Sequence, residues 1–152
     1  MKRTIFLLLI LFTANISFAQ EETKSKGKGE MKFEYNGNVH TVEGTYDEKV
    51  GAYKYSFLGV NPQCMGDTIT ATLYVDGVKT DEKVNYSIKE YCDNIVKKGK
   101  PEGYSDVQYN ALVTFMADML DYGQAAQEYQ GYKTSSPVND LDWVATNKTV
   151  FT

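Results

Sequence analysis

Residues 105–132 read SDVQYNALVTFMADMLDYGQAAQEYQGY and decide the fold, because they form the one long segment with clear helical periodicity. Apolar residues recur in it three and four positions apart, which places them on one helix face. We expect a helix over residues 105–122, with Gly123 as its end or as a kink. The expected buried set is Leu112, Phe115, Met116, Met119, Tyr122, Gly123, Ala126 and Tyr129, and the opposite, acidic set is Asp118, Asp121 and Glu128.

The residues before this helix read as short β-strands joined by tight turns. Asn36-Gly37 and Asp76-Gly77 each separate two β-prone runs, as in hairpin turns that need positive φ angles. A further run alternates Tyr53, Tyr55 and Phe57 with polar residues, which predicts a half-buried strand. The expected strands cover residues 31–35, 39–46, 52–58, 68–75 and 78–86.

A two-residue turn at Asp76-Gly77 also predicts a register for its hairpin. It pairs Val75 with Val78, Leu73 with Thr80, Ala71 with Glu82 and Ile69 with Val84. One face of the hairpin is then apolar. The other face carries Thr68, Thr70, Thr72 and Tyr74 and is expected to be wet, which is typical of an antiparallel sheet.

A second, shorter helix is predicted over residues 88–98. Ser87 and Glu90 have the spacing of a capping box, in which each satisfies a backbone N–H of the other. With the strands and the main helix, this gives an α+β domain. We expect an antiparallel β-sheet or small β-sandwich of about five strands covered by two C-terminal helices.

The first residues have the pattern of a signal peptide. Lys2 and Arg3 precede an apolar run that is too short to span a bilayer, and small residues stand at Ser17 and Ala19. We expect cleavage before Gln20 and a secreted or cell-surface location. The predicted divisions are a signal peptide at 1–19, a flexible charged leader at 20–30, a single α+β domain at 31–137 and a C-terminal tail at 138–152.

Charge limits the partners of the chain. Sixteen Lys and Arg stand against 20 Asp and Glu, a formal net charge of −4. This argues against nucleic acid, whose phosphates require basic side chains. We expect an unknown protein or glycan at the cell surface as the partner, with no transmembrane segment in the mature chain.

Cys64 and Cys92 are the two cysteines. In an exported chain an even number of cysteines is consistent with a disulfide. The alternative is two separately buried thiols, since free Cys packs as a small hydrophobe. Sequence spacing leaves both alternatives open, because a bridge needs Cα atoms within about 7 Å.

Three stretches, in this order, resemble a known kind of module. They are SFLGVNPQCMGDTITATLYVDG, YSIKEYCDNIV and ALVTFMADMLDYGQAAQEYQGYKT. Together they are similar to an uncharacterised module of large secreted or cell-surface multidomain bacterial proteins, over residues 52–139. Its most specific parts are Asn61-Pro62-Gln63 and the run at residues 120–127. The resemblance implies no activity and no catalytic residues.

Catalytic and metal-binding patterns are weak. His40 is the single histidine, in a predicted strand opposite Phe33, and has no marked partner for nucleophilic catalysis. Asp118 and Asp121 have the i, i+3 spacing of a carboxylate pair that a small hydrolase could use, but they fall on the polar helix face. Two further carboxylate pairs offer too few oxygen ligands for a calcium loop. A zinc site built from His40, Cys64 and Cys92 would lack a fourth ligand. The calcium candidates are Asp140 with Asp142 and Asp76 with Asp81. We expect no enzyme, no metal and no cofactor.

Aromatic residues are abundant, with 12 Tyr, 7 Phe and 1 Trp. Exposed Tyr and Trp offer a rigid apolar body with a polar tip, which suits sugars and protein interfaces. The expected ligand-binding residues are Tyr74, Trp143, Thr70 and Thr72. Tyr46, Tyr104 and Tyr132 are also expected to be exposed, and Tyr53, Tyr55, Tyr91, Tyr122 and Tyr129 to be buried.

The function expected from these observations is that of a secreted, non-enzymatic interaction or accessory module of unknown ligand. One alternative is a carbohydrate-binding module that uses exposed Tyr and Trp side chains. The other is a small hydrolase that uses Asp118 and Asp121.

Overall fold

The structure, a computed structural model, describes residues 6–10, 15–21, 29–48 and 52–150. The chain divides into two compact units. Met1–Val60 and Thr68–Tyr86 form the β unit, and Asn61–Asp67 and Ser87–Thr152 form the helical unit. The expected α+β class is confirmed. Residues 31–137, predicted as one domain, contribute to both units.

The β unit is built from antiparallel strands in two sheets. One sheet has the order β4-β3-β7-β8, and the other has the order β1-β2-β6-β5. The strands are β1 (Phe6–Ile10), β2 (Asn15–Glu21), β3 (Gly29–Tyr35), β4 (Asn38–Glu43), β5 (Thr45–Asp47), β6 (Ala52–Phe57), β7 (Ile69–Val75) and β8 (Val78–Tyr86).

Both predicted hairpin turns are present. Asn36 and Gly37 have φ angles of 50° and 77° and join β3 to β4, while Asp76 and Gly77 have φ angles of 51° and 77° and join β7 to β8. Positive φ at both central residues is the requirement of the type I′ turn, whose twist matches that of the flanking strands.

The strand predicted over residues 39–46 is broken in two at Gly44. The part before Gly44 pairs with β3 and the part after it pairs with β6, so the chain passes here from one sheet to the other. A Cβ at Gly44 would lie 2.8 Å from ring carbons of Tyr55, a side chain that is fully buried. Glycine is therefore required where the backbone turns across this ring. Burial also raises the pKa of the Tyr55 hydroxyl.

A ring cluster joins the two sheets. Phe57 on β6 stacks on Phe33 of β3 at 5.3 Å between ring centroids. Tyr35 meets the Phe57 ring edge-on at 5.6 Å, and His40 lies 4.9 Å from the same ring. The core of the β unit is thus formed by rings from two sheets, consistent with the small β-sandwich that was one of the two predicted alternatives.

A β-bulge changes the predicted register of the β7–β8 hairpin. The pairs Val75–Val78 and Tyr74–Lys79 follow the turn, but the next pair is Thr72–Lys83, so β8 gains two residues opposite Leu73. The Thr80 hydroxyl donates to the Leu73 carbonyl at 2.9 Å and accepts from a β8 backbone N–H, which holds the bulge. The predicted pairs beyond the bulge are wrong by two positions. Leu73 has no single partner there, Ala71 faces Val84, and Ile69 faces Tyr86. A shift of two keeps each side chain on its predicted face.

The helical unit contains α1 (Ile88–Lys98), α2 (Asp106–Gln130), α3 (Asp142–Asn147) and a 3₁₀ turn at Pro62–Cys64. The predicted capping box of Ser87 and Glu90 is formed, and Ser105 with Gln108 forms a second one at the start of α2. Helix α2 ends at Gly131, whose φ of 62° gives the left-handed C-cap.

Gly123 does not end α2, because the helix continues to Gln130. A Cβ at Gly123 would lie 2.9 Å from Cγ1 of Val138, 3.1 Å from the Pro62 carbonyl oxygen and 3.2 Å from the Met65 sulfur. The glycine therefore marks the point of closest approach between α2, the 3₁₀ turn and the segment that carries Val138.

The buried face of α2 differs from the predicted one by a rotation about the helix axis. The buried residues are Val113, Met116, Ala117, Leu120, Gly123 and Gln127. Leu112 and Met119 are half-buried, and the prediction was wrong for Tyr122 and Tyr129, which are exposed. The closest packing selects small side chains such as Ala117 and Gly123 rather than rings.

Residues after Pro137 pack onto the helical unit. Val138 and Val144 are fully buried, and residues 142–147 form α3 although their sequence is β-prone. The Val138 backbone N–H donates to the buried Gln127 side chain at 2.9 Å. The segment predicted as a tail thus supplies part of the core of this unit.

The short segment Asn61–Asp67 is fixed to the end of α2 by polar contacts. The Tyr132 hydroxyl donates to one Asp67 carboxylate oxygen at 2.6 Å, and Lys133 Nζ donates to the other at 2.5 Å. The bond to Asp67 is the main reason that the pKa values of Tyr132 and Lys133 are raised. Lys133 holds a φ of 46°, a left-handed conformation that a non-glycine residue rarely adopts.

The predicted signal peptide and leader fall partly outside the described residues. Their described parts include β1 and β2, and β2 pairs with β6. Cleavage before Gln20 would remove all of β1 and most of β2, so the signal peptide stays a prediction. Among the described residues, no helix combines the length and the apolarity that a membrane span requires.

Candidate functional site

Tyr74, Thr70 and Thr72 share the outer face of the β4-β3-β7-β8 sheet, as predicted. The face is less open than expected, because Thr72 is only 3% exposed. Thr72 lies on a central strand between Lys32 of β3 and Lys83 of β8, and a short side chain between two long ones is covered by their stems. Thr70 donates its hydroxyl proton to Asn85 Oδ1 at 2.8 Å.

The ring of Tyr74 already has a partner. Lys32 Nζ lies 4.0 Å from its centroid, within the distance of a cation–π contact. A sugar that stacked on this side of the ring would have to displace the ammonium group. Tyr74 is half-buried, so the structure offers a cation-covered ring here and not an open shelf.

Trp143 was predicted as an exposed side chain without a core role, and this was wrong. It lies on α3, is half-buried, and donates its indole N–H to Asp93 Oδ1 at 3.2 Å. The other Asp93 oxygen accepts from Lys97 at 2.5 Å. Trp143 therefore helps to hold α3 against the rest of the helical unit.

Asp118 and Asp121, the carboxylate pair of the hydrolase alternative, bind the C-terminal segment. Asp118 accepts from the Thr149 backbone N–H and hydroxyl, both at 2.6 Å. Asp121 accepts from Asn139 at 2.8 Å and from Lys148 at 2.9 Å. The bond from Lys148 is the first cause that lowers the pKa of Asp121. A general acid needs the opposite shift.

The remaining candidate catalytic and metal-binding residues lie in different parts of the structure. His40 is exposed and its ring lies tilted against Phe57, and the Asp140 carboxylate accepts from Lys89. Asp142 opens α3, and Asp76 lies in the hairpin turn. Within the described part of the chain, no group of three or more His, Cys, Asp or Glu side chains is arranged to hold a metal ion.

Cys64 and Cys92 are both buried in the helical unit as free thiols. Burial raises the pKa of the Cys92 thiol to about 12. A thiol so protected from ionisation is a poor nucleophile, because the thiolate is the reactive form. Of the two alternatives, the structure contains the separate buried thiols, and the disulfide stays a prediction.

Tyr46 and Tyr104 are exposed, as predicted, whereas the prediction of a buried Tyr53 was wrong. Tyr46 and Tyr53 face each other across β5 and β6, are 42% and 38% exposed, and meet edge-on at 5.3 Å. Their planes differ by 62°, so the two rings do not form one flat platform.

Three highly exposed apolar side chains lie on one face of α2. Tyr122 is 63% exposed, Tyr129 is 87% exposed, and Val107 is 79% exposed. Residues three and four positions apart connect them into a stripe on one side of the helix. We call this stripe the outer face of α2, and it consists of Val107, Ala111, Phe115, Asp118, Tyr122, Ala125 and Tyr129.

The sequence prediction missed this exposed face. Helix α2 carries two stripes of apolar residues, and the predicted buried set combines residues from both. The signal that separates them is side-chain size. The buried stripe has Ala117 and Gly123 where neighbours approach most closely, whereas Tyr122 and Tyr129 are too large for such contacts.

Comparison with known proteins gives no further identification. No family model matches the sequence, and no curated protein and no solved structure matches it either.

Proposed function

We propose that the chain is a secreted, non-enzymatic interaction module that binds a partner at the cell surface. The observation that carries this proposal is the outer face of α2, where two Tyr rings are exposed on a helix whose opposite face is buried. Exposed apolar side chains that cluster on a rigid element are typical of protein interfaces.

The chemistry of the carboxylates supports a non-enzymatic role. Asp118 and Asp121 have donors from the C-terminal segment, and the pKa of Asp121 is lowered. Both carboxylates therefore act as structural acceptors. The resemblance to an uncharacterised module of cell-surface proteins agrees with this proposal and remains part of it.

Activity assays test the proposal directly. The purified chain should give no turnover on glycoside, ester and peptide substrates. Asp121→Asn should lower the melting temperature, because it weakens the bond from Lys148. Turnover that Asp118→Asn or Asp121→Asn abolishes would establish the hydrolase alternative.

A glycan array tests the alternative that the chain is a carbohydrate-binding module. The exposed pair Tyr46 and Tyr53 would have to carry it, since Tyr74 is covered by Lys32 and Trp143 is bonded to Asp93. Array signals lost in Tyr46→Ala and unchanged in Tyr129→Ala would favour a carbohydrate-binding module.

A further inference from the structure

The residues that follow α3 cross the outer face of α2 at its midpoint. We call residues 148–150 the strap. Thr149 donates its backbone N–H and its hydroxyl proton to Asp118, and Lys148 donates to Asp121, one turn along the helix. Asp118 lies midway between Val107 and Tyr129, about 16.5 Å from each along the helix axis. The strap therefore lies across the middle of the outer face.

Exposure along the outer face changes where the strap lies. The residues of this face on either side of the midpoint are exposed, whereas Phe115 and Asp118 are half-buried. The strap runs from Asp121 to Asp118 and so toward Phe115, which lies one turn further along the same face. The exposed apolar side chains are thereby divided into a group around Val107 and a group around Tyr122.

The contacts that hold the strap on α2 are polar, and water reaches them. The side chains of Lys148 and Asp121 are 39% and 38% exposed, so salt screens their attraction. Val150 is 78% exposed and buries little apolar surface, whereas Val144 in α3 is fully buried. Segments with few buried apolar contacts are the first to open locally in a folded protein. The strap can therefore detach while α3 stays packed.

We propose that the strap is an autoinhibitory contact on the outer face of α2. While it is bound to Asp118 and Asp121, it keeps the apolar stripe divided and covers Phe115. Its release joins the two groups into one apolar surface that extends about 33 Å along the helix. Large continuous apolar patches are typical of protein interaction sites. This inference rests on the proposed function and adds a means of regulating its surface.

Amide hydrogen exchange of Thr149, followed by NMR on the full chain, tests whether the strap binds and detaches. We expect a protected amide whose protection falls several-fold when salt is raised from about 0.05 M to about 0.5 M. Asp118→Ala should remove the protection at both salt concentrations. Asp106→Ala is the matched control, because it removes a carboxylate of the same helix that binds Lys100 and not the strap.

Two results of the exchange experiment would overturn the strap. The first is an unprotected Thr149 amide in the native chain, which would show that the strap does not bind α2. The second is protection at both salt concentrations equal to that of the Val138 amide, which donates to the buried Gln127 side chain. That result would show that the strap does not detach.

A cysteine probe measures whether the strap covers the outer face. Phe115→Cys places a thiol at the predicted covered position, and Ala125→Cys places one at an exposed position. The two native thiols are buried and protected from ionisation, so they react slowly. We expect N-ethylmaleimide to label position 115 about tenfold more slowly than position 125. Equal rates would overturn the proposal.

A variant of the strap itself leaves α2 unchanged and releases the contact. Thr149→Pro removes both donors to Asp118 and suits the extended backbone of Lys148, whose φ is −68° and ψ 151°. Combined with Lys148→Gln, it removes the donor to Asp121 as well. In this double variant, the labelling rates at positions 115 and 125 should approach each other. An undiminished difference would show that something else covers Phe115 and would reject the strap as the cover.

Photo-cross-linking in the cells that export the protein connects the strap to the proposed function. The full chain carries p-benzoylphenylalanine in place of Tyr122, with and without the double variant of the strap. We expect a several-fold higher yield of cross-links to another protein in the double variant. Equal yields would reject the autoinhibitory contact and leave the interaction module standing. No cross-link from either chain would reject the outer face of α2 as an interaction surface, and the autoinhibitory contact with it.

Discussion

Two glycines show what single residues contribute to this fold. Gly44 lies against the Tyr55 ring where the chain changes sheets, and Gly123 lies against Pro62 and Val138 inside a continuous helix. The sequence prediction runs a strand through Gly44 and marks Gly123 as an end or a kink, because glycine is unfavourable in a helix interior. It cannot tell a break from a close contact, since the difference depends on neighbours that are distant in sequence.

Gly123→Ala should destabilise the protein although alanine is the better helix former. Alanine gains about 1 kcal/mol of helix propensity, but its Cβ would meet the Pro62 carbonyl and Val138, and overpacking costs about 1–3 kcal/mol. We expect a net loss of up to about 2 kcal/mol in urea unfolding. Ala125→Gly on the exposed face is the control and should lose about 1 kcal/mol from propensity alone. A more stable Gly123→Ala variant would show that the contact is loose.

The Cys92 thiol should make stability fall at alkaline pH. Its pKa is about 12 in the folded chain against 9.0 for a free thiol, so between these values the unfolded chain loses a proton that the folded chain keeps. The unfolded state then binds fewer protons, and the free energy of unfolding decreases by about 1.4 kcal/mol per pH unit at most. Stability measured from pH 8 to 11 in reducing buffer should show a steeper fall in the native chain than in Cys92→Ala. Parallel curves would mean that the thiol is more hydrated than its burial indicates.

At the scale of elements, the sequence predicts where helices and strands form better than it predicts which face of each one is buried. The bounds of α1, both hairpin turns and the capping box at Ser87 follow from local rules that act within a few residues. The rotation of α2 does not, because apolar residues occupy both of its faces and only packing decides which face is buried. The bulge at Thr80 is likewise invisible in the alternation of β8, since a shift of two preserves it.

Substitutions on the buried and the exposed face of α2 should have different effects on the stability of the protein. Leu120→Ala truncates a fully buried side chain and should cost about 2–5 kcal/mol of stability. Tyr122→Ala/Tyr129→Ala removes exposed rings and should leave the melting temperature almost unchanged. Thermal unfolding followed by circular dichroism measures both. A large loss in the double variant would place the rings in the core, as the periodicity alone predicted.

At the scale of the whole molecule, the α+β fold class was predictable from the sequence, but the division of the chain into two compact units was not. Short strands followed by periodic helices indicate α+β from sequence alone. The division depends on the segment Asn61–Asp67, which lies between β6 and β7 in sequence but belongs to the helical unit. The exposure expected of Trp143 and Thr72 was wrong for a related reason: the neighbours that cover these side chains come from distant positions in the sequence.

The N-terminal residue of the exported protein provides a further test at the scale of the whole molecule. We expect the secreted protein to begin at Gln20, because small residues at positions 17 and 19 suit signal peptidase. Intact-mass measurement of protein from the culture medium or the cell surface decides this. A mass that includes residues 1–19 would show that the apolar run is retained.

The placement of Asn61–Asp67 has a consequence for the order of folding. The bond from Tyr132 to Asp67 joins residues 65 positions apart, so a growing chain exposes this segment long before its partner is synthesised. The β7–β8 hairpin lies between them and can form within microseconds from local contacts. The helical unit must wait, because loops of this length close late and their closure carries an entropic cost. Until Tyr132 leaves the ribosome, Cys64 and Met65 have no α2 to pack against, and the nascent chain carries an apolar site that a chaperone can bind.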